Sequence, residues 1–281
     1  MEMTVIAAEL FAAGVLPSGE LVMDKLEGGT NSQVYLMKCG KQDRLVLKWN
    51  EPDVIEAEAA YLKRYERLPI VPSLRYVDPA NRFLIYEYIA GSTAYYPGHK
   101  GEMLLELVRR LISGYDEVEW PRDREESWQY YLLGETGLTR NGSGDLFTEE
   151  DHDLVAELAG NSNRVTGPFY HLHGDCGVHN FIFDEDHQLA GVIDPTPLIG
   201  QPMYELAFAF CSSSDELTPD VIAEVVYHEA WPFSRELKAL YEEVAIALYN
   251  RIVTCTYHHP HDLNAYLTAW KQWRMIVTFN R

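Results

Sequence analysis

Asp175 and Asn180 stand five residues apart in YHLHGDCGVHNFIF (Tyr170 to Phe183), and Asp194 follows in GVIDP. Phosphoryl transfer needs a carboxylate that orients the attacking hydroxyl and accepts its proton, together with oxygen ligands that hold Mg²⁺ against nucleotide phosphates. Asp175 suits the first task. Asn180, a neutral oxygen ligand, and Asp194, a charged one, suit the second. The same stretch offers another chemistry, because His171, His173 and Asp175 have the H-x-H-x-D spacing of a metal-dependent hydrolase. That reading has Cys176 where a further histidine is expected. It also needs ligands from downstream, for which His258, His259 and His261 in YHHPHD are the candidates, although a solvated turn beside Pro260 explains them as well.

Two further features precede this stretch. In LEGGTNSQVYLMK (Leu26 to Lys38), Gly28 and Gly29 let backbone N–H groups approach phosphate oxygens, and Thr30, Asn31 and Ser32 add donors. Taken alone, GG between two strands also reads as a plain hairpin turn. Lys48 ends the apolar run RLVLKW, with Glu58 ten residues on. An ammonium on such a strand must either reach water or meet an anion, and phosphates plus a carboxylate on the next helix meet that need. The hydrolase reading leaves the glycine turn, Lys48 and Asn180 without a task.

The elements that must position these groups change character along the chain. From Leu21 to about Ala90 the runs LVMDKL, SQVYLMK, RLVLKW, SLRYV and RFLIYEYI predict five strands, separated by GG, CGK and DPAN. One helix interrupts them, expected over Val54 to Leu68, with Pro52 and Asp53 at its start and Pro69 at its end. From Gly101 the pattern is mainly helical. Leu104, Leu105, Val108, Leu111 and Ile112 share a helix face, Thr148 and Asp151 form a capping box, and Pro219 to Arg281 reads as several helices. Gly134 to Phe147 is expected to be a mobile loop. Between the helices lies a strand-like island in which FIF and LAGVID are joined by a DEDH turn.

The 281 residues, 47% of them apolar, suffice for a large core, and no apolar run approaches the length of a membrane span. The amino-terminal run MEMTVIAAELFAAGVL carries Glu2 and Glu9 and has no Lys or Arg before Lys25, which does not fit a signal peptide. Four scattered cysteines without C-x-x-C spacing read as reduced thiols, so a cytoplasmic location is expected. The formal net charge of -20 argues against nucleic acid and anionic membrane as partners. Residues 1–90 hold 13 acids and 10 bases, whereas residues 91–281 hold 30 acids and 13 bases. Solvated helix faces such as DEVEWPRDREE account for much of this excess, and an acidic pocket for a cationic substrate is the sharper alternative.

In order and type, these features resemble the aminoglycoside phosphotransferase and choline kinase-like family, whose fold is protein-kinase-like. The resemblance runs from about Leu21 to about Phe210 and is strongest in HGDCGVHNFIF and GVIDPTPLIGQPMYELA. It implies a two-lobed α+β fold. Residues 1–90 would form a small antiparallel, nucleotide-binding lobe with one helix, and residues 91–281 a mainly helical catalytic and acceptor-binding lobe. It also implies a small-molecule kinase that uses ATP or GTP with Mg²⁺. Asp175 would be the catalytic base, Asn180 and Asp194 the metal ligands, and Lys48 the contact to the α- and β-phosphates, paired with Glu58 or with the competing Glu56. The Glu87 carbonyl and the Ile89 N–H, in the hinge IYEYIAG, would face the purine. His173 and Glu205 would support the catalytic loop. The chain departs from the family pattern in three ways. Where members commonly read H-G-D-L-H-P-G-N it has Cys176, Gly177, Val178 and His179 in the middle; the connection from Lys48 to Glu58 is short; and Gln201 and Glu205 replace two usual aspartates. The expected partner is a small-molecule hydroxyl acceptor: an aminoglycoside or other antibiotic, choline or ethanolamine, a sugar or an amino-alcohol. A kinase-like nucleotide binder without transfer activity is the alternative.

Overall fold

The computed structural model describes residues 3–16, 21–26, 32–39, 43–121, 127–161 and 167–279. Helix α1 (Met3–Ala12) precedes five short strands: β1 (Leu21–Lys25), β2 (Gln33–Cys39), β3 (Asp43–Trp49), β4 (Leu74–Val77) and β5 (Phe83–Glu87). They form one antiparallel sheet in the order β1-β2-β3-β5-β4. Helix α2 (Pro52–Arg64) lies between β3 and β4 in the chain. The period of two sorts the side chains of β3, so that Leu45 and Leu47 face away from Val46 and Lys48. On the first face Leu45, Leu47, Phe83 and Ile85 pack with Ile6, Leu10 and Leu16. The amino-terminal apolar run therefore contains a helix that covers the outside of the sheet, a role its sequence was not assigned. On the other face Val46, Leu84 and Tyr86 join the main core with α2.

Helix α2 has Pro at its first turn and buries Ile55, Glu58, Ala59, Tyr61 and Leu62. It stops at Arg64, short of the expected Leu68, because the next residues turn to other partners. The Tyr65 hydroxyl donates to the His171 carbonyl at 2.5 Å, and Arg67 donates to the Gly114 carbonyl at 2.6 Å and to Asp116 at 2.7 Å. The Tyr65 bond fastens the end of α2 to the strand that leads into the HGD segment, and the Arg67 bonds fasten it to the chain at residues 114–116.

The rest of the chain is built on helices α3 (Lys100–Arg110), α4 (Trp128–Gly142), α5 (Glu149–Gly160), α6 (Pro202–Cys211), α7 (Pro219–Tyr227), α8 (Leu237–His258) and α9 (Leu263–Phe279). Leu240, Val244, Leu248 and Ile252, four apart, bury one stripe of α8 in the core. Each such side chain contributes about 1.5–3 kcal/mol through burial. Residues Gly134 to Phe147, expected as a mobile loop, are instead largely helical. Ser127 caps α4, and Trp128, Leu132 and Thr136 bury one face of it, so tertiary packing outweighs the glycines. The capping box forms as expected, with the Asp151 N–H donating to Thr148 Oγ1 at 3.2 Å and the Thr148 N–H to Asp151 Oδ2 at 2.9 Å.

Strand β7 (Phe169–Leu172) of the strand-like island pairs with β6 (Glu117–Val118) and β10 (Leu198–Gly200), both outside the island, as one small sheet. The hairpin of β8 (Phe181–Phe183) and β9 (Leu189–Val192) forms another. Cys176, Cys211 and Cys255 are buried free thiols. No helix among the described residues is long and apolar enough to cross a membrane.

Candidate active site

Strand β7 delivers His173 and Gly174 to a sharp turn. Gly174 has φ of 83°, and a Cβ there would lie 1.9 Å from the Thr196 carbonyl oxygen, so only glycine fits. Glu205, fully buried on α6, accepts from the His173 N–H at 2.8 Å, from the Gly174 N–H at 3.2 Å and from the Tyr115 hydroxyl at 3.1 Å. Burial pushes its carboxyl up to about 7, against the pull of these donors. The two nitrogens of His173 are both engaged, Nε2 with the Ile193 carbonyl at 3.1 Å and Nδ1 with the Asp175 N–H at 3.3 Å. Those partners assign the neutral tautomer with the proton on Nε2, in keeping with burial that lowers this imidazole to about 4.

His173 thereby ties the loop carrying Asp175 to the residue before Asp194. The Asn180 side-chain amide donates to the Asp175 carbonyl and to Asp175 Oδ2, each at 2.9 Å, leaving its oxygen as the atom for the cleft. His179 Nε2 stands 3.3 Å from Asp175 Oδ1 and 3.4 Å from Oδ2. Burial works to raise the Asp175 carboxyl, but the hydrogen bond and charge of His179, followed by His173 and Asn180, hold it below the usual carboxylate value. Asp194 sits at φ of 61°, a left-handed conformation that an aspartate tolerates better than most residues.

From the opposite wall, Lys48 is 2% exposed and donates to Glu58 Oε2 at 2.5 Å and also to Asp194 Oδ1. Burial disfavours its charge, yet the carboxylates of Glu58 and Asp194 hold the ammonium above its ordinary value. Glu56 is exposed, so the ion pair belongs to Glu58. Between the walls lies a cleft of about 410 Å³. Val34 and Val46 line its sheet side, Ile182 and Ile193 the other, and Lys48, Asn180 and Asp194 give it one polar end. Ile89 also lines it. The Glu87 side chain pairs instead with Arg75, and its N–H donates to the Ser73 carbonyl at 2.9 Å. Ser32 accepts from the Asn50 side chain at 2.8 Å. Gly28, Gly29, Thr30 and Asn31 lie outside the described residues.

The hydrolase arrangement does not form. His171 stacks on Tyr61, and His173 has no nitrogen left for a metal. His173, Cys176 and Glu205 do come within 4.8 Å of one another, but Glu205 is occupied by the loop's own N–H groups. His258, His259 and His261 lie exposed at the turn between α8 and α9. Sequence reasoning gave no role to His179, which lines the cleft beside Asp175. The signal was present in HGDCGVHN, where a histidine directly precedes Asn180.

The family model described as the phosphotransferase enzyme family matches residues 23–240, well over half of the chain. No curated protein matches the sequence. Among solved structures the chain is similar to choline kinase from Cryptosporidium parvum, at 12% identity and TM-score 0.65, covering 99% of this chain and 97% of that one. It is similar to choline kinase from Streptococcus pneumoniae, at 15% identity and TM-score 0.64, covering 97% and 98%. Macrolide 2'-phosphotransferase from Brachybacterium faecium gives 15% identity and TM-score 0.60, covering 95% and 98%. Likeness at this identity establishes the protein-kinase-like fold, and by the family match over residues 23–240 the chain belongs to the phosphotransferase enzyme family.

Proposed function

We propose that the chain moves the γ-phosphoryl group of ATP or GTP to a hydroxyl of a small molecule in the cytoplasm. The observation that carries this reading is the convergence of Lys48, Asp175, Asn180 and Asp194 at and beside a slot with apolar side walls. The slot between Val34 and Val46 on one side and Ile182 and Ile193 on the other has the two apolar faces that a flat purine needs. The Glu87 carbonyl and Ile89 N–H would meet the purine edge, and Gly28, Gly29, Thr30, Asn31 and Ser32 would supply donors to the phosphates. Residues 1–90 thus act as the nucleotide-binding lobe, and residues 91–281 carry the catalytic loop and the acceptor site.

Asp175 orients the acceptor hydroxyl and takes its proton as the new O–P bond forms and the bond to the β-phosphate oxygen breaks. Lys48 meets the α- and β-phosphates, held in place by Glu58. The side-chain oxygens of Asn180 and Asp194 suit Mg²⁺, since both are hard ligands and the cleft end they share leaves room for water. The metal, when bound, offsets the charge of the phosphate oxygens. Rate enhancement comes from placing these groups in advance, with no covalent intermediate on the protein.

The acidic balance of residues 91–281 favours a cationic acceptor such as an aminoglycoside, choline or an amino-alcohol. A coupled assay of ATP and GTP consumption against a panel of amino and hydroxyl acceptors tests the proposal. Acceptor-dependent, Mg²⁺-dependent turnover is expected, fastest with cations. Nucleotide binding without turnover on any hydroxyl acceptor contradicts it.

A further inference from the structure

The family pattern H-G-D-L-H-P-G-N places a histidine two residues after the aspartate and a glycine four residues after it. This chain has the two exchanged, with Gly177 at the second position and His179 at the fourth. The structure shows where the displaced ring goes. A Cβ built on Gly177 lies 2.5 Å from His179 Cε1 and 2.7 Å from its Nδ1, so the imidazole of His179 occupies the space that a side chain at Gly177 would claim. The absence of a side chain at Gly177 is what admits it.

From that place the ring faces the proposed base. His179 Nε2 is 3.3 Å from Asp175 Oδ1 and 3.4 Å from Oδ2, the oxygen to which Asn180 also donates. The Asp175 side chain is 34% exposed, and Asn180 bonds only its Oδ2, so one donor alone does not stop the carboxylate from turning. The His179 ring adds a hydrogen bond at 3.4 Å to that same Oδ2 and lies 3.3 Å from Oδ1, so it meets both oxygens and restrains the plane of the carboxylate. His179 also lines the cleft with Asn180 and Asp194, although it is 47% exposed and contributes little to the core.

Building on the phosphotransfer reading above, we infer that His179 is a positioning residue that stands in, from the fourth position, for the imidazole missing at the second, and holds the Asp175 carboxylate in the orientation that receives the acceptor hydroxyl. It acts through Asp175 and makes no bond to the reacting atoms. A carboxylate misplaced by about 1 Å costs on the order of 100-fold in rate. Loss of the ring is therefore expected to lower kcat while nucleotide affinity stays near its native value.

The test compares four chains in the same acceptor assay, with nucleotide affinity measured by calorimetry and folding by thermal unfolding. His179→Gly is expected to lose roughly 10- to 100-fold in kcat, with nucleotide Kd changed by less than about threefold. His179→Gln, which keeps a side-chain N–H donor, is expected to recover part of that loss. Gly177→His alone is expected to impair turnover, because its side chain meets the His179 ring. The double variant Gly177→His with His179→Gly restores the family order and is expected to exceed both single variants. The inference is overturned if His179→Gly keeps native kcat, if it loses nucleotide affinity as steeply as kcat, or if the exchanged chain is no better than His179→Gly. A native chain that turns over no acceptor removes the phosphotransfer reading and this inference together, whereas an active native chain with an indifferent His179 removes only the latter.

Discussion

On the sheet side of the cleft, Lys48 reaches its place by strand alternation and is fixed by an ion pair to a helix ten residues away. On the other side, Asp175 is placed by a loop whose N–H groups converge on Glu205 and whose histidine bonds across to Ile193, the residue before Asp194. The first support is a charge pair whose attraction offsets the cost of burying both ends. The second is a network in which every member satisfies another, so that removing one leaves several buried groups without partners. The sheet-side pair, replaced as a unit, should therefore lose function with little loss of stability, and the loop side both at once.

The sharpest break of this contrast is Glu205→Ala. It strips acceptors from the His173 N–H, the Gly174 N–H and the Tyr115 hydroxyl. A loss of about 3–5 kcal/mol in stability is expected, read by urea unfolding, together with loss of turnover. Loss of activity at unchanged stability would erase the distinction between the two walls.

Acid probes the same network through His173. Its folded value of about 4 lies below the ordinary 6.5, so between these the unfolded chain binds a proton that the folded chain does not. Its contribution to stability is complete above about pH 6.5 and is lost as pH falls towards 4, by roughly 3 kcal/mol. Glu58 and Glu205, raised to about 7 by burial, work in the opposite sense between 4.5 and 7. The effect of His173 is therefore read as the difference between the native chain and His173→Gln. Parallel stability curves for the two chains between pH 4 and 6.5 would contradict it.

The smallest expected change in stability is for replacement of the whole sheet-side pair. Lys48→Met leaves Glu58 buried without its partner, and the added change Glu58→Leu should restore stability to within about 1 kcal/mol of the native chain. Nucleotide affinity should fall at least tenfold in both variants and stay low, since the phosphate contact is gone. Recovery of affinity in the double variant would show that Lys48 matters only as the partner of Glu58.

Much of this was legible in the sequence, for reasons that differ by region. The five strands and α2 follow from alternation and from Pro52, and Lys48, Glu58, Asp175, Asn180 and Asp194 converge as their order in the chain suggested. The α1 helix was missed because its partners, Met37, Leu45 and Phe83, are distant in sequence. The α4 helix was missed because its glycines speak against a helix, whereas the burial of Trp128, Leu132 and Thr136 does not appear in local propensity. The contact of His179 with Asp175 depends on the turn at Gly177, which spacing alone does not reveal.

The central claim is that Asp175 acts on the acceptor and not on the nucleotide. Its most direct test is Asp175→Asn, a near-isosteric change that removes the base and keeps hydrogen-bonding capacity beside Asn180 and His179. Turnover is expected to fall by about 100-fold or more, while the Kd for ATP or GTP with Mg²⁺, measured by calorimetry, stays within about threefold of native. Turnover near the native rate, or nucleotide affinity lost in step with it, would contradict the account.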